Sequence, residues 1–133
     1  MNGPVRPADD DLRKLVEACR TTLLCCANDL VRVAAGVLDG HGRIFTAVQV
    51  RSRNCNHCSV CAEAIAIGMA LTAGVTELAA CASVVRSGDT AKVWSPCGTC
   101  RELLHDHEIG HVVIGDDEGQ LTTVPTIDLL PWP

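Results

Sequence analysis

Three cysteines at the starts of two predicted helices constrain this chain more than any other feature. Cys61 opens Cys61-Ala62-Glu63, while Cys97 and Cys100 lie in Pro96-Cys97-Gly98-Thr99-Cys100-Arg101. Residues 61–73 are rich in Ala, Ile and Met, keep helical spacing and stop at Gly74. Pro96 suits the start of a second helix, from about Cys97 to His107. A cysteine at a helix N-terminus has its thiolate favoured by backbone N–H groups and by the helix dipole. Two such ends facing each other can present three sulfurs, Cys61, Cys97 and Cys100, to one ion. Three protein ligands leave the fourth tetrahedral position open, which is how a catalytic zinc is held. Glu63 follows the first ligand by two residues, so it can face that position without ligating, as a proton shuttle must. Three thiolates on Zn²⁺ leave a net negative charge, and Arg101, beside Cys100, is a candidate second-shell compensator together with the helix ends.

The other cysteines separate into two groups. Nine in 133 residues is an odd count, which argues against a secreted disulfide framework. Cys19, Cys25, Cys26 and Cys81 sit in apolar segments and read as small buried hydrophobes. Cys55-Asn56-His57-Cys58 precedes Cys61 and reads as a loop covering a pocket, with a second metal site as the other reading. The net charge of −5 disfavours sequence-independent nucleic-acid binding, which rests on neutralising phosphates. No apolar run approaches the ~18–20 residues of a membrane span. Met1–Pro7 lacks the apolar stretch of a signal peptide, so a cytoplasmic protein is expected.

Periodicity predicts the order αββαβαβ. Residues 1–8 read as a flexible lead-in and 9–133 as a single domain. A first helix begins at Asp9-Asp10-Asp11, with Leu12, Leu15, Val16, Cys19, Leu23 and Cys26 at helical spacing. Val31–Leu38 and Arg43–Arg51 form a hairpin around Asp39-Gly40-His41-Gly42. Glu77–Val85 and His111–Gly115 are further strands, and Asp116–Gly119 is a turn. Ala91–Ser95 is a lead into the second site helix, and Pro125–Pro133 holds one helical turn and a tail. An α/β sandwich with an initial antiparallel hairpin fits this order. In the hairpin's second strand, alternation places Phe45, Ala47, Gln49 and Arg51 on one face.

Cys-Ala-Glu followed by Pro-Cys-x-x-Cys resembles the zinc-dependent cytidine deaminase superfamily, over roughly Asp10 to Trp132. A cysteine as first ligand is similar to its small nucleoside-acting members. Gly42-Arg43-Ile44-Phe45-Thr46 and Leu129-Leu130-Pro131 resemble blasticidin-S deaminase-like members. The resemblance implies a three-layer α/β/α sandwich with a mixed sheet, Zn²⁺ as cofactor and hydrolytic deamination of a cytosine moiety. Glu63 would move the protons, and Ala62 with Ser95-Pro96 would line the base. It also implies a small nucleoside-like substrate, no nucleic-acid or membrane partner, and a homotetramer, relatives having a terminal aromatic that matches Trp132. Substrate contacts are expected from Phe45, Gln49, Arg51 and Ala62.

The chain departs from that pattern at informative places. Cytidine deaminases have Asn-x-Glu where this chain has Gln49-Val50-Arg51, an aromatic where Arg32 falls, and often Arg where Ala64 stands. A guanidinium at position 51 suits an anionic or oxygen-rich substituent, if it is not simply a solvated strand end. A noncatalytic, zinc-stabilised interaction protein of the same fold is the alternative function, but it has no use for Glu63. An iron–sulfur or redox protein using Cys55, Cys58, Cys61, Cys97 and Cys100 is a further alternative, which a colourless protein with stoichiometric zinc would eliminate.

Overall fold

The computed structural model describes residues 4–115 and 120–131. The expected turn at Asp116–Gly119 and the terminal Trp132 therefore lie outside the described residues. Helix α1 spans Asp9–Leu24 and buries Leu12, Leu15, Val16, Cys19 and Leu23, the stripe its spacing predicts. Strands β1 (Val33–Asp39) and β2 (Ile44–Val48) form the hairpin, and α2 covers Ala62–Thr72. Strands β3 (Leu78–Ser87) and β4 (Thr90–Trp94) precede α3 (Gly98–Asp106), β5 (His111–Gly115) and β6 (Leu121–Pro125). A short 3₁₀ turn follows at Thr126–Leu129, where one helical turn is expected. Residues 4–8 form no regular element, and Arg6 Nε donates to Thr123 Oγ1 at 2.9 Å.

The six strands form one mixed sheet in the order β2-β1-β3-β5-β6, with β4 also paired to β3. Only β3 and β5 run parallel; the other pairs are antiparallel. One edge of β3 is shared by two strands. Ala80 and Cys81 pair with β5, whereas Ser83 onward pairs with β4. The sheet therefore forks beside Ala82.

Alternation along the strands sorts the core into two faces. Ala34, Leu38, Ala80, Ala82 and Val84 pack with the α1 stripe. Val37, Ala47, Cys81 and Val112 pack with Ala66, Ile67 and Ala70 of α2 and Leu104 of α3. This is the expected α/β/α sandwich. The approach of α1 is close: a Cβ at Gly36 would lie 2.8 Å from Cys19 Sγ and 3.0 Å from Leu15 Cδ1. Cys19 and Cys81 are buried, and burial pushes the Cys19 thiol up to about 12 and the Cys81 thiol well above its usual value. Both act as small hydrophobes, as expected. Cys25 does not, being exposed just past the end of α1, and Cys26 is half-buried.

Three elements differ from the sequence reading. Strand β2 ends at Val48 instead of continuing to Arg51, because Gln49 Oε1 accepts from the N–H groups of Arg32 (2.7 Å) and Val33 (2.9 Å). That side chain occupies donors a longer ladder would need. Most of the segment Ala91–Ser95, read as a lead-in, belongs to β4, which begins at Thr90 after a turn in which Gly88 takes φ +60. Strand β6 was not expected at all; it is a short edge strand, and its Pro125 is tolerated because an edge can do without a donor.

The β1–β2 turn contains a buried carboxylate. Asp39 Oδ1 accepts from the N–H groups of His41 (2.9 Å) and Arg43 (2.8 Å), and Oδ2 accepts from Arg43 Nε (2.7 Å). Burial alone would raise its pKa, but these donors and the Arg43 charge outweigh it and hold the carboxyl below its usual range. The unfolded pKa is ~3.9, so the stabilisation is complete above that value and is lost as pH falls through the lower folded pKa. Asp39→Ala is expected to cost about 1.5–3 kcal/mol at neutral pH, the scale of hydrogen bonds to a charged group. The deficit should shrink toward zero in acid. Urea unfolding of both proteins across this range checks it, and a deficit independent of pH would contradict it.

Candidate active site and metal centre

Helices α2 and α3 begin on the same side of the sheet, over the fork in β3. Cys61 and Cys97 are their N-cap residues, both with extended backbone (φ −65, ψ 146 and φ −68, ψ 168). Neither helix has a side-chain cap bond, so both thiols stay at the helix mouths. Cys100 is the third residue of α3 and turns back toward the same place. The three sulfurs lie within 4.8 Å of one another, and Cys61 Sγ is 3.8 Å from Cys97 Sγ. A tetrahedral zinc with Zn–S of about 2.3 Å holds its sulfurs about 3.8 Å apart. Cys61 and Cys97 are exposed, whereas Cys100 is buried, so the cluster has an open side and a closed side.

Glu63 is on the closed side, in the first turn of α2, and is 4% exposed. Its Oε1 accepts from Ser83 Oγ at 2.6 Å, and Cys100 Sγ donates to its Oε2 at 3.4 Å. Ser83 is the first β3 residue to pair with β4, and alternation aims it at α2. The sequence reading did not single out this residue. The available signal was a lone hydroxyl in the apolar run Leu78–Val85, and one hydroxyl there is equally compatible with an ordinary strand residue.

The electrostatics call for a cation. Burial pushes the Cys100 thiol far up, and the Glu63 carboxylate adds to the effect. Burial is also the main cause of the rise at Cys61. At Cys97 burial acts in the same direction but is outweighed by donors, the Cys100 backbone N–H first, so its pKa falls. Among the described residues no Lys or Arg side chain forms an ion pair with Glu63. A carboxylate and three thiols packed this closely are best stabilised as anions by a metal, and soft sulfur donors at this spacing fit zinc.

The other expected site residues are placed as follows. Ala62 is fully buried in the first turn of α2. Arg101 does not bond to a sulfur: Nε donates to Pro96 O (2.9 Å), and the two terminal nitrogens donate to Ser95 Oγ (3.0 Å) and Leu129 O (3.5 Å). Its fork holds the Ser95-Pro96 segment against the last 3₁₀ turn, because those acceptors lie within its reach. Phe45 packs with the α2-side core, with the Arg43 guanidinium 5.7 Å from its ring centre. Gln49 is half-buried and has its carbonyl committed to β1, which leaves its NH₂ for a ligand. Arg51 is exposed and has no ion pair among the described residues. The antiparallel backbone bridge between Val50 and Val60 sets Gln49 opposite Cys61 and Arg51 opposite Ser59. No second metal cluster forms: among the described residues only Cys61, Cys97 and Cys100 gather as a group of three or more suitable donors.

Comparison with known proteins agrees with this geometry. Residues 9–116 match the cytidine and deoxycytidylate deaminase zinc-binding region. The chain is 28% identical to the blasticidin-S deaminase of Bacillus cereus over 129 residues, 93% of this chain and 91% of that one. The crystal structure of cytidine deaminase from Burkholderia pseudomallei superimposes with a TM-score of 0.73 at 26% identity, covering 90% of this chain and 96% of that one. Cytidine deaminase from Mycobacterium tuberculosis shares the fold, with a TM-score of 0.73 at 23% identity over 95% of this chain and 97% of that one.

The sandwich with its paired helix starts and sulfur cluster thus defines a hydrolytic deaminase whose cofactor is zinc. The chain belongs to the cytidine and deoxycytidylate deaminase family.

Proposed function

We propose that this protein hydrolyses the exocyclic amine of a cytosine ring in a free nucleoside or nucleoside analogue. Water and the aminated ring carbon are converted to a carbonyl and ammonia. The observation that carries this reading is Glu63, buried beside the sulfur cluster and held by Ser83. Zinc, held by Cys61, Cys97 and Cys100, supplies Lewis-acid activation of the attacking water when bound. Glu63 accepts the proton of that water and returns protons to the ring nitrogen and the departing amine. Ser83 keeps one carboxylate oxygen in place, so the other, near Cys100, has a defined position for the transfer. Backbone at Ala62 and Ser95-Pro96 lines the base, with Arg101 holding the latter segment. An ammonia-release screen over cytidine, deoxycytidine, cytosine, methylated cytosines and blasticidin S tests the reading, and no release from any of them would overturn it.

Phe45, Gln49 and Arg51 face the sugar or its replacement in this reading. Arg51 donates hydrogen bonds but cannot accept them, so it replaces the acceptor that the cytidine deaminase pattern offers a ribose hydroxyl with a cation. A carboxylate-bearing substituent gains about 1.5–3 kcal/mol from one charged hydrogen bond, roughly 10- to 150-fold in specificity. Gln49→Asn with Arg51→Glu is expected to shift kcat/KM toward plain cytidine by that order. A parent protein that already prefers cytidine would make Arg51 a solvated strand end.

The same reading places one catalytic unit over residues 9–133 and the protein in the cytoplasm as a homotetramer. The start of α1 at Asp9 supports the first point. Met69 and Leu71, both in the last turn of α2, are 45% and 46% exposed, which supports a covered helix end. Sedimentation should give a mass four times that of the chain. No helix among the described residues is long and apolar enough to cross a membrane.

A further inference from the structure

The loop between β2 and α2 contains a second thiol centre that the deamination chemistry does not use. Val50 and Val60 exchange both backbone hydrogen bonds (3.0 and 2.7 Å), closing residues 51–59 into a loop. Internal bonds shape it: Ser52 N donates to Ser59 Oγ (3.0 Å), and Cys55 N donates to Ser52 Oγ (3.0 Å). Residues 56–58 form a 3₁₀ turn, with Cys58 N donating to Cys55 O at 3.2 Å. This turn brings Cys58 Sγ to 2.8 Å from Cys55 Sγ. Cys58 is exposed and Cys55 half-buried, so both can be reached from solvent.

We propose that Cys55 and Cys58 form a redox-modification site that reacts with small-molecule disulfides and closes to a reversible intramolecular disulfide. The chemistry balances in two exchanges. The Cys55 thiolate attacks one sulfur of the small disulfide, forming a mixed disulfide and expelling one thiolate. Cys58, deprotonated, then attacks Cys55 Sγ, forms the Cys55–Cys58 bond and expels the second thiolate. Two protein thiols are oxidised, and one small disulfide is reduced to two thiols.

The donors gathered around Cys55 favour it as the first attacking thiolate. The Cys58 thiol donates to Cys55 Sγ, and the backbone N–H groups of Cys58 and His57 add to it, holding the Cys55 thiol below its usual range while Cys58 is raised. The sulfurs start so close that a disulfide bond of about 2.05 Å needs only a small side-chain movement. Among the described residues this pair is outside the group able to hold a metal, so zinc does not protect it. The modification rests on this loop alone and does not depend on which substrate is deaminated.

The test treats zinc-loaded protein with oxidised glutathione and reads peptide mass and zinc content. The expected product has lost two hydrogens within the peptide spanning Cys55 and Cys58, keeps its zinc, and reverts with dithiothreitol. Cys58→Ser should accumulate a glutathione adduct at Cys55, since the resolving thiol is gone. Cys55→Ser should form its adduct at Cys58 more slowly than Cys58→Ser forms its own at Cys55, since the loop N–H groups that favour the Cys55 thiolate have no counterpart at Cys58. Free thiols at both positions after treatment would overturn the proposal. So would adducts forming equally fast on the two variants, or a disulfide joining Cys61 to Cys97 with loss of zinc.

Discussion

Glu63→Gln is expected to retain zinc and fold while lowering ammonia release by at least ~10²–10⁴-fold, the usual worth of one general acid–base residue. The loss should reach the upper end or beyond, because one carboxylate serves several proton transfers. Glutamine keeps the shape of the side chain, and its carbonyl can still accept from Ser83 Oγ, the 2.6 Å partner of Glu63 Oε1. The buried pocket therefore keeps its packing and its hydrogen bond. Only the proton-accepting capacity disappears. Single-turnover rates, zinc content and urea unfolding of the same preparation separate these effects. Turnover within about tenfold of the parent would remove Glu63 from the chemistry.

Replacing Cys61, Cys97 or Cys100 with Ala should remove most of the zinc and destabilise the fold, since metal binding is partly folding free energy. The scale is set by structural zinc sites, where apparent binding reaches about 10–16 kcal/mol; losing one of three sulfurs forfeits a large share of it. The three variants should not be equal. Cys61 and Cys97 are exposed at the helix mouths, so water can take a vacated position there. Cys100 is 1% exposed and lies against Glu63, so Cys100→Ala also leaves a gap beside a buried carboxylate. It should show the largest drop in melting temperature. Full zinc retention in all three variants would refute the assignment of these ligands.

The core-facing pattern of the helices was legible in the chain because period and punctuation agreed. The Asp9-Asp10-Asp11 start, the apolar stripe of α1 and the stop of α2 at Gly74, where φ is +87, are local features. So is the placement of Cys61 and Cys97 at helix starts, which follows from Pro96 and from the onset of helical spacing. The strands were less legible where pairing made them. Residues 90–94 and 121–125 are strands because β3 and β5 offer them open edges; Ala91 and Val93 alternate with Thr90 and Lys92 over too few residues to announce a strand alone, and Leu121-Thr122-Thr123-Val124 does not alternate at all. Gln49 shows the converse, a side chain that ends a strand by taking its neighbour's backbone donors.

The donor set is readable along the chain: three thiols and one carboxylate, each at or near a helix start, with a spacing that demands two elements meet. That much is local, because helix caps and turns depend on nearby residues. Assembly of the sheet is what forks β3 beside Ala82 and brings Ser83 under Glu63, and folding turns Arg101 to hold the Ser95-Pro96 segment instead of bonding to a sulfur. The difference is one of range. A cap or a period is set by residues a few positions away, whereas a hydrogen bond between residues 63 and 83 exists only after the sheet has assembled and excluded water from both.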